Sequence, residues 1–247
     1  MSDESRIPRI AICMPTRDTV AAECTMSLMK LYGHFCTRFV ATGQAEAMFL
    51  TDLGTLLPDM RNALVKVAKD QGATHILWID SDMTFPPDTI ERLLAHGEPI
   101  VGASYSQRKE PCKPVAAKGG VWVYTEEDST GLEEVDFVGM GVMLVETRVF
   151  DYIDAPWHMT AWSEKAQHII GEDVYFCRKA RAVGAPTFID HDLSKQVTHL
   201  GWRHFRSEDA VAWRPTLLDE QAKLSDEDRA KRTLIAGEAS ADETSAA

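Results

Sequence analysis

Short apolar runs alternate with helical patterns over the first hundred residues, and this alternation constrains the fold more than any other feature. Apolar runs lie at 9–14, 75–79 and 100–104, and residues 19–34 and 58–72 carry apolar positions at three- and four-residue steps. Such alternation predicts an α/β protein whose mostly parallel sheet is covered by helices on both faces. In sheets of this kind, ligands bind beyond the carboxyl ends of the strands.

The pattern changes in the second half of the chain. Segments 121–124 and 135–145 are rich in β-forming residues and are separated by a Glu/Asp/Gly region, which predicts an antiparallel hairpin. The other elements predicted there are a loop at 155–165, a helix at 173–183, short strands at 186–189 and 196–199, and a helix near 216–235. An antiparallel, β-rich second half is therefore expected beside the parallel first half.

These patterns predict one Rossmann-like domain over residues 1–206, with a first half at about 8–105 and a second half at about 106–206. Residues 207–247 are polar, which predicts a helical and then disordered acidic extension.

Composition narrows the class of protein. The 247 residues are 45% hydrophobic, and the net charge is −12, which argues against broad binding to a phosphate backbone but leaves room for a local basic groove. Five scattered cysteines without a Cys-x-x-Cys pair favour free thiols over zinc sites or disulfides. No apolar run approaches the roughly 18–20 residues that span a bilayer. We therefore expect a soluble, cytoplasmic protein.

Three Asp-x-Asp triplets are candidate metal sites, at 80–82, 190–192 and 226–228. Two carboxylates at this spacing can reach one hard divalent cation. The first triplet has the best context, because it ends an apolar run that should form a central buried strand, and two acids there need compensating charge. The triplet at 190–192 also follows an apolar run and competes for the metal. A pair of loop-capping aspartates is the alternative.

Other candidate residues are weaker when taken singly. Glu172 and Asp173 begin a predicted helix, where acids are common caps, but a carboxylate facing the same cleft could deprotonate a hydroxyl group. His199 ends a short strand behind the first triplet. Arg17 and Arg61 could pair with phosphate oxygens. Segment 138–141 has two glycines but lacks the third glycine of a dinucleotide-binding turn, which excludes a nicotinamide site.

In their order along the chain, these segments resemble the GT-A glycosyltransferases, in particular small family-2-like enzymes of phages and bacteria. The matching segments are Ile12–Arg17, Arg61–Ala63, Ile76–Met83, Val138–Gly141, Gly171–Cys177 and Val197–His199. They span about residues 8–201, and the resemblance implies one catalytic domain at 1–206 with a nucleotide-sugar half at about 8–105 and an acceptor half at about 106–206. Each is short, and their succession is more specific than any one of them.

The resemblance implies a nucleotide-diphosphate sugar, such as a UDP- or GDP-sugar, as donor. Pro15, Thr16 and Arg17 would line the nucleoside pocket, and Arg61 would support the nucleotide. Asp80 would lean toward ribose and metal, while Asp82 and His199 would ligate Mn²⁺ or Mg²⁺. The implied reaction is a metal-dependent hexosyl or pentosyl transfer.

For the acceptor side, the resemblance implies that Asp173 is the base and Glu172 its orienting neighbour, with inversion at the anomeric carbon. Gly139 and Gly141 would let the backbone approach the sugar, and Trp162 and Trp202 are candidate contacts. Basic residues at 107–118 and the aromatic and basic stretch 202–206 favour an anionic acceptor. The resemblance to small phage enzymes implies a hydroxymethylated pyrimidine in phage DNA as the specific acceptor.

Several alternatives stay open from the sequence. The acceptor could be a saccharide or another small molecule, and the basic residues could contact donor phosphates instead. A metal-dependent hydrolase or nucleotidyltransferase would use Asp80, Asp82 and Asp190. An inactive sugar-nucleotide-binding module is the third class.

Overall fold

The computed structural model describes residues 7–164, 167–201 and 204–225. Its strands are β1 (Arg9–Thr16), β2 (Glu46–Leu53), β3 (His75–Ile79), β4 (Met83–Thr84), β5 (Ile100–Gly102), β6 (Ala117–Lys118), β7 (Val121–Trp122), β8 (Leu132–Val135), β9 (Val142–Glu146), β10 (Ala161–Ser163), β11 (His168–Ile170), β12 (Thr187–Asp190) and β13 (Thr198–His199). Its helices are α1 (Ala22–Phe35), α2 (Leu57–Asp70), α3 (Thr89–Ala95), α4 (Val149–Tyr152), α5 (Glu172–Ala182), α6 (His191–Ser194) and α7 (Ser207–Ala222), with a π-helical turn at Cys36–Val40 after α1.

Seven strands form the central sheet in the order β2-β1-β3-β9-β5-β12-β8. Five of them point the same way, while β8 and β9 run against their neighbours. This mostly parallel sheet flanked by helices confirms the fold class predicted from the alternating pattern.

The central strands are apolar on both faces because helices cover both sides of the sheet. Ile10 to Cys13 in β1 and Ile76 to Ile79 in β3 are fully buried. Their side chains alternate between two clusters, one shared with α2 and α5 and the other with α1 and α3. The result is a three-layer α/β/α arrangement, which leaves the strand ends as the open edge.

The second half of the chain departs from the predicted hairpin. β7 pairs with β6, whereas 132–135 and 142–146 are separate strands of the central sheet. β9 lies between β3 and β5, antiparallel to both. The hairpin prediction is wrong because Val142–Val145 is apolar on both faces, which suits a strand inserted into the middle of a sheet and not a half-exposed hairpin.

Two other predicted boundaries also change. The expected loop at 155–165 contains β10, which pairs with β11 in a short antiparallel ladder. The expected helix at 216–235 begins earlier, since α7 starts at Ser207 and ends at Ala222. The predicted acidic tail beyond 225 lies outside the described residues. Within the described part of the chain, no helix is long and apolar enough to cross a membrane.

Candidate active site

Asp80 and Asp82 lie directly beyond β3, at the carboxyl edge of the sheet. Two backbone hydrogen bonds fix this segment. The Asp80 NH donates to the Gly141 carbonyl at 3.1 Å, and the Ala21 NH donates to the Ser81 carbonyl at 2.9 Å. The chain then turns into β4, which pairs with β13 and sets Met83 opposite His199. The predicted acidic segment and the predicted histidine therefore share one edge of the fold.

Asp82 makes two close charged contacts. Its Oδ2 lies 2.7 Å from Nη1 of Arg108, and its Oδ1 lies 3.6 Å from Nε2 of His199. Burial would raise the pKa of Asp82, but the hydrogen-bonding proximity and charge of His199 and the charge of Arg108 outweigh it, so the pKa is lowered. Asp82 is thus held in its ionised form.

The orientation of His199 suits a metal ligand. Its Nδ1 lies 3.0 Å from the Ser106 carbonyl, which can only accept a hydrogen bond, so Nδ1 carries the hydrogen. Nε2 faces Asp82: when protonated it pairs with that carboxylate, and when deprotonated it offers the lone pair that a metal ion would take up. Tyr105 supports the ring edge-on, with 5.2 Å between centroids.

The metal set predicted from the sequence is only partly assembled. Asp82 and His199 converge, whereas Asp80 Oδ1 accepts a hydrogen bond from Nη2 of Arg61 at 2.8 Å. Among the described residues, no three His, Cys, Asp or Glu side chains are grouped so as to hold a metal ion. One carboxylate and one imidazole with a free lone pair fit part of a Mn²⁺ or Mg²⁺ shell, and the remaining ligands would have to come from outside this pair.

Arg61 occupies a different place from the one predicted. Its side chain is only 1% exposed and lies beneath the edge of the sheet, so it does not present a surface to a nucleotide. Its Nη2 reaches Asp80, its Nε lies 3.5 Å from Oε1 of Glu172, and its guanidinium carbon lies 5.1 Å from the Trp78 ring centre. Arg61 thus joins the two acidic segments that sequence analysis treated separately.

Glu172 and Asp173 form the first turn of α5. Asp173 Oδ1 accepts the Val174 backbone NH at 2.7 Å, which fixes the carboxylate at the helix start. Burial raises the pKa of Asp173 to about 6, and the negative charge of Glu172 adds to this rise. A carboxylate with a pKa just below neutrality is ionised at pH 7 and is a competent base.

Tyr105, which the sequence did not single out, is buried near enough to Asp80 and Asp173 for both charges to act on its hydroxyl group. Its hydroxyl oxygen accepts the Gly141 NH at 2.9 Å. Burial raises the pKa of Tyr105 well above its usual value, and the charges of Asp80 and Asp173 raise it further. A Cβ on Gly139 or Gly141 would come within 2.6 Å of the Tyr105 hydroxyl, so this close packing explains both glycines.

A cavity of about 740 Å³ opens beside His199. It is lined by Gln107, Arg108, Lys109, His199 and Gly201. Two of these residues, Arg108 and Lys109, are basic residues of the segment 107–118 that the sequence linked to an anionic ligand. The cavity therefore places positive charge next to the Asp82 carboxylate.

The remaining predicted residues are scattered around this edge. Pro15 and Thr16 are buried at the end of β1, next to β3, and Arg17 is exposed and pairs only loosely with Asp18 at 4.0 Å. Trp162 is 53% exposed on β10, opposite Ile169. Trp202 lies outside the described residues, so its predicted acceptor contact remains a prediction.

The aspartates of the competing triplet at 190–192 make structural hydrogen bonds and an ion pair. Asp190 caps α6 by accepting the Leu193 NH at 2.8 Å and pairs with His96 at 3.0 Å. Asp192 accepts the Gly131 NH at 2.8 Å. β12, which Asp190 ends, lies three strand positions from β3, or about 14 Å at the usual spacing. The triplet at 226–228 lies outside the described residues.

Asn62 and His158 are residues whose role the sequence did not reveal. Asn62 Oδ1 accepts the backbone NH groups of Trp157 and His158, both at 3.0 Å, and its Nδ2 donates to the His158 carbonyl at 2.7 Å. The sequence shows that Trp157 and His158 are adjacent, but it does not show that both bind Asn62, which lies 95 residues before Trp157. This clamp holds the 157–158 segment against α2.

Comparisons with known proteins bear on the fold. No protein-family model matches the chain, and no curated protein matches it. Among solved structures, A197 from STIV superimposes with a TM-score of 0.52 at 16% identity, over 78% of this chain and 86% of A197. TarS residues 1–349 from S. aureus match with a TM-score of 0.39 at 13% identity, over 90% of this chain and 68% of that one.

These findings define the class of fold and no more. The likeness to A197 extends over most of both chains, while the lower TM-score of the TarS match carries no weight. Together with the strand order, this likeness shows a mixed α/β fold that the chain shares with A197. The activity has to be argued from the residues of the site.

Proposed function

We propose that this protein is a glycosyltransferase that moves a sugar from a nucleotide-diphosphate donor to a hydroxyl acceptor. The observation that carries the proposal is the bridge through Arg61. It sets Asp80, beside Asp82, and Glu172, beside Asp173, at one edge of a GT-A-type sheet. One acidic group would serve the donor diphosphate and the other the acceptor hydroxyl.

Asp173 supports the proposed proton transfer. Its carboxylate takes the proton of the acceptor hydroxyl, and the oxygen attacks the anomeric carbon of the sugar. The bond from that carbon to the diphosphate oxygen breaks, and the nucleoside diphosphate leaves with the bonding electron pair. Direct displacement of this kind inverts the anomeric configuration, so a product with the donor's configuration would refute it.

Asp82 and His199 are the proposed holders of Mn²⁺ or Mg²⁺, with Asp80 nearby. A divalent cation there would offset the negative charge that develops on the departing diphosphate. Arg108 already places a positive charge on Asp82 and lines the adjacent cavity. Pro15, Thr16 and the exposed Arg17 are the proposed nucleoside contacts, since they end the strand next to β3.

For the acceptor, we propose an anionic molecule, with a hydroxymethylated pyrimidine in DNA as the specific candidate. Lys109 lies in the cavity wall and Lys118 is exposed, while Trp162 offers an exposed ring. Transfer to single-stranded DNA carrying the hydroxymethyl base, compared with unmodified DNA and with neutral saccharides, tests this choice. Transfer to saccharides alone would replace it.

The proposed activity can be tested without knowing the acceptor. UDP- and GDP-sugars are incubated with the protein and Mn²⁺, and release of nucleoside diphosphate to water or acceptor is measured. We expect release with at least one donor, its loss in EDTA, and its loss in Asp82→Asn and Asp173→Asn. Asp192→Asn, from the structural triplet, is the matched control and should stay active. A metal-free Asp82→Asn protein with full activity would contradict the assignment.

A further inference from the structure

Arg61 differs from the other charged groups at this edge because it is buried. We propose that Arg61 is a positioning residue that fixes Asp80 and Glu172 to one guanidinium group from beneath the site, without touching substrate. This inference rests on the proposed function, since it assigns Arg61 a task in the same transfer.

The contacts of Arg61 define two anchor points. Nη2 donates to Asp80 Oδ1 at 2.8 Å, and Nε faces Glu172 Oε1 at 3.5 Å. Asp80 follows β3 in the first half of the chain and Glu172 begins α5 in the second half. The planar guanidinium fork can hold two carboxylates in a fixed relative orientation, which a point charge such as lysine cannot do.

Arg61 is poorly placed if stability were its only purpose. Among the described residues, its buried Nη1 has no hydrogen-bond partner, and its buried Nε has only the 3.5 Å ion pair with Glu172 Oε1 in place of a hydrogen bond. Unpaired buried donors cost free energy, on the order of 1–3 kcal/mol each. Replacing all members of a buried ionic group by apolar side chains is often neutral or stabilising, so stability alone does not explain why a buried arginine bridges two acidic segments here.

Aromatic rings cover the Arg61 guanidinium and exclude solvent from it. Trp78 lies under it, and His158 packs edge-on against Trp78 at 5.4 Å and stacks on Phe176 at 5.0 Å. Burial lowers the pKa of His158 well below its usual value, and the charge of Arg61 lowers it further. His158 is therefore neutral, and Arg61 is the positive charge that faces the carboxylates from this side.

The positive charge of Arg61 also acts on the carboxylate of Asp173. Burial and then the charge of Glu172 raise the pKa of Asp173, while the Val174 NH and the charge of Arg61 lower it. Tyr105 and Cys177 also face Asp173 and are neutral, because their own pKa values are raised. Removing the charge of Arg61 should therefore raise the pKa of Asp173 above about 6. This gives the proposal a readout that a purely structural role would not move.

The test compares Arg61→Met and Arg61→Lys with Asn62→Ala as the matched control. Asn62 is the next residue of α2 and makes three hydrogen bonds, but none of them reaches a site carboxylate. For Arg61→Met we expect kcat to fall about 100-fold with little change in the donor KM, and the acid limb of the pH profile to move upward. Arg61→Lys should restore the pH limb but not kcat. Asn62→Ala should lower the melting temperature and leave the pH limb unchanged.

Other outcomes overturn the proposal. A raised donor KM with unchanged kcat in Arg61→Met would make Arg61 a nucleotide contact. Unchanged kcat and pH limb, or failure of both variants to fold, would leave it a structural residue. If the wild-type protein processes no sugar nucleotide, the proposed function fails separately. An NMR titration of the Asp173 carboxyl carbon then still decides whether Arg61→Met raises its pKa.

Discussion

At the scale of single residues, the proposed chemistry depends on how two carboxylates are held. Asp82 is kept ionised by His199 and Arg108, which overcome the effect of burial. Asp173 is shifted the other way, by burial and by Glu172. Opposite shifts of this kind are typical of sites in which one acid binds a cation and the other moves a proton.

The raised pKa of Asp173 predicts the pH dependence of the reaction. The base works only when ionised, so kcat/KM should rise with pH through about 6 and level off above it. In Glu172→Gln the neighbouring negative charge is gone, the pKa of Asp173 falls, and the rising limb moves to lower pH. Asp70→Asn, an exposed change at the end of α2, should leave the limb in place. A limb that does not move in Glu172→Gln would argue against Asp173 as the base.

Arg108 predicts how tightly the site takes a metal. Its guanidinium sits on Asp82 Oδ2, where it competes with a cation. We expect Arg108→Gln to bind Mn²⁺ about fivefold more tightly in the absence of nucleotide, which corresponds to about 1 kcal/mol for a partly exposed ion pair. Titration of free Mn²⁺ by electron paramagnetic resonance measures this. Lys109→Gln, in the same loop, is the control, and equal affinities in the two variants would contradict the prediction.

At the scale of elements, the start of α5 sets the position of the base. Gly171 precedes the helix with φ −68° and ψ 160°, a conformation open to any residue. A Cβ at this position would lie 2.6 Å from Asp173 Oδ1. The glycine is therefore needed by the neighbouring carboxylate and not by the backbone.

This geometry makes Gly171→Ala a selective probe. We expect the added methyl group to displace the carboxylate and lower kcat by about 100-fold, because small misplacements of a reacting group have large effects. The fold should survive, with a loss of at most about 1 kcal/mol at the helix cap. Gly33 lies in α1 with open space around it, so Gly33→Ala should raise the free energy of unfolding by up to about 1 kcal/mol and keep its activity. Full activity in Gly171→Ala would show that the carboxylate is not held there.

Sequence patterns predict those elements that are covered in the same way along their whole length. β3 was predicted at 75–79 because a strand covered on both faces is a continuous apolar run with a sharp polar end. The same reasoning misplaced β9, because an apolar run does not reveal which strands it lies between or in which direction it runs. The acids and His199 could be predicted because they lie at the ends of strands and of a helix. The bridge through Arg61 could not, because it depends on contacts between residues 19 and 111 positions apart along the chain.

At the scale of the whole molecule, both halves of the chain build one sheet and one edge. Asp80 and Asp82 come from the first half, whereas Asp173 and His199 come from the second, and Arg61 and the β4–β13 pair connect them. Although the net charge is −12, two positive side chains, Arg108 and Lys109, line the cavity. An anionic ligand would thus be attracted locally, and its binding should weaken as salt is added.

A structure of the protein with Mn²⁺ and the nucleoside diphosphate of its donor tests the central claim most directly. We expect the cation bound between Asp82 and His199 on the diphosphate oxygens, with Asp173 across an open space that fits a sugar and an acceptor hydroxyl. Nucleotide and metal bound away from Asp82, His199 and Asp173 would contradict the account.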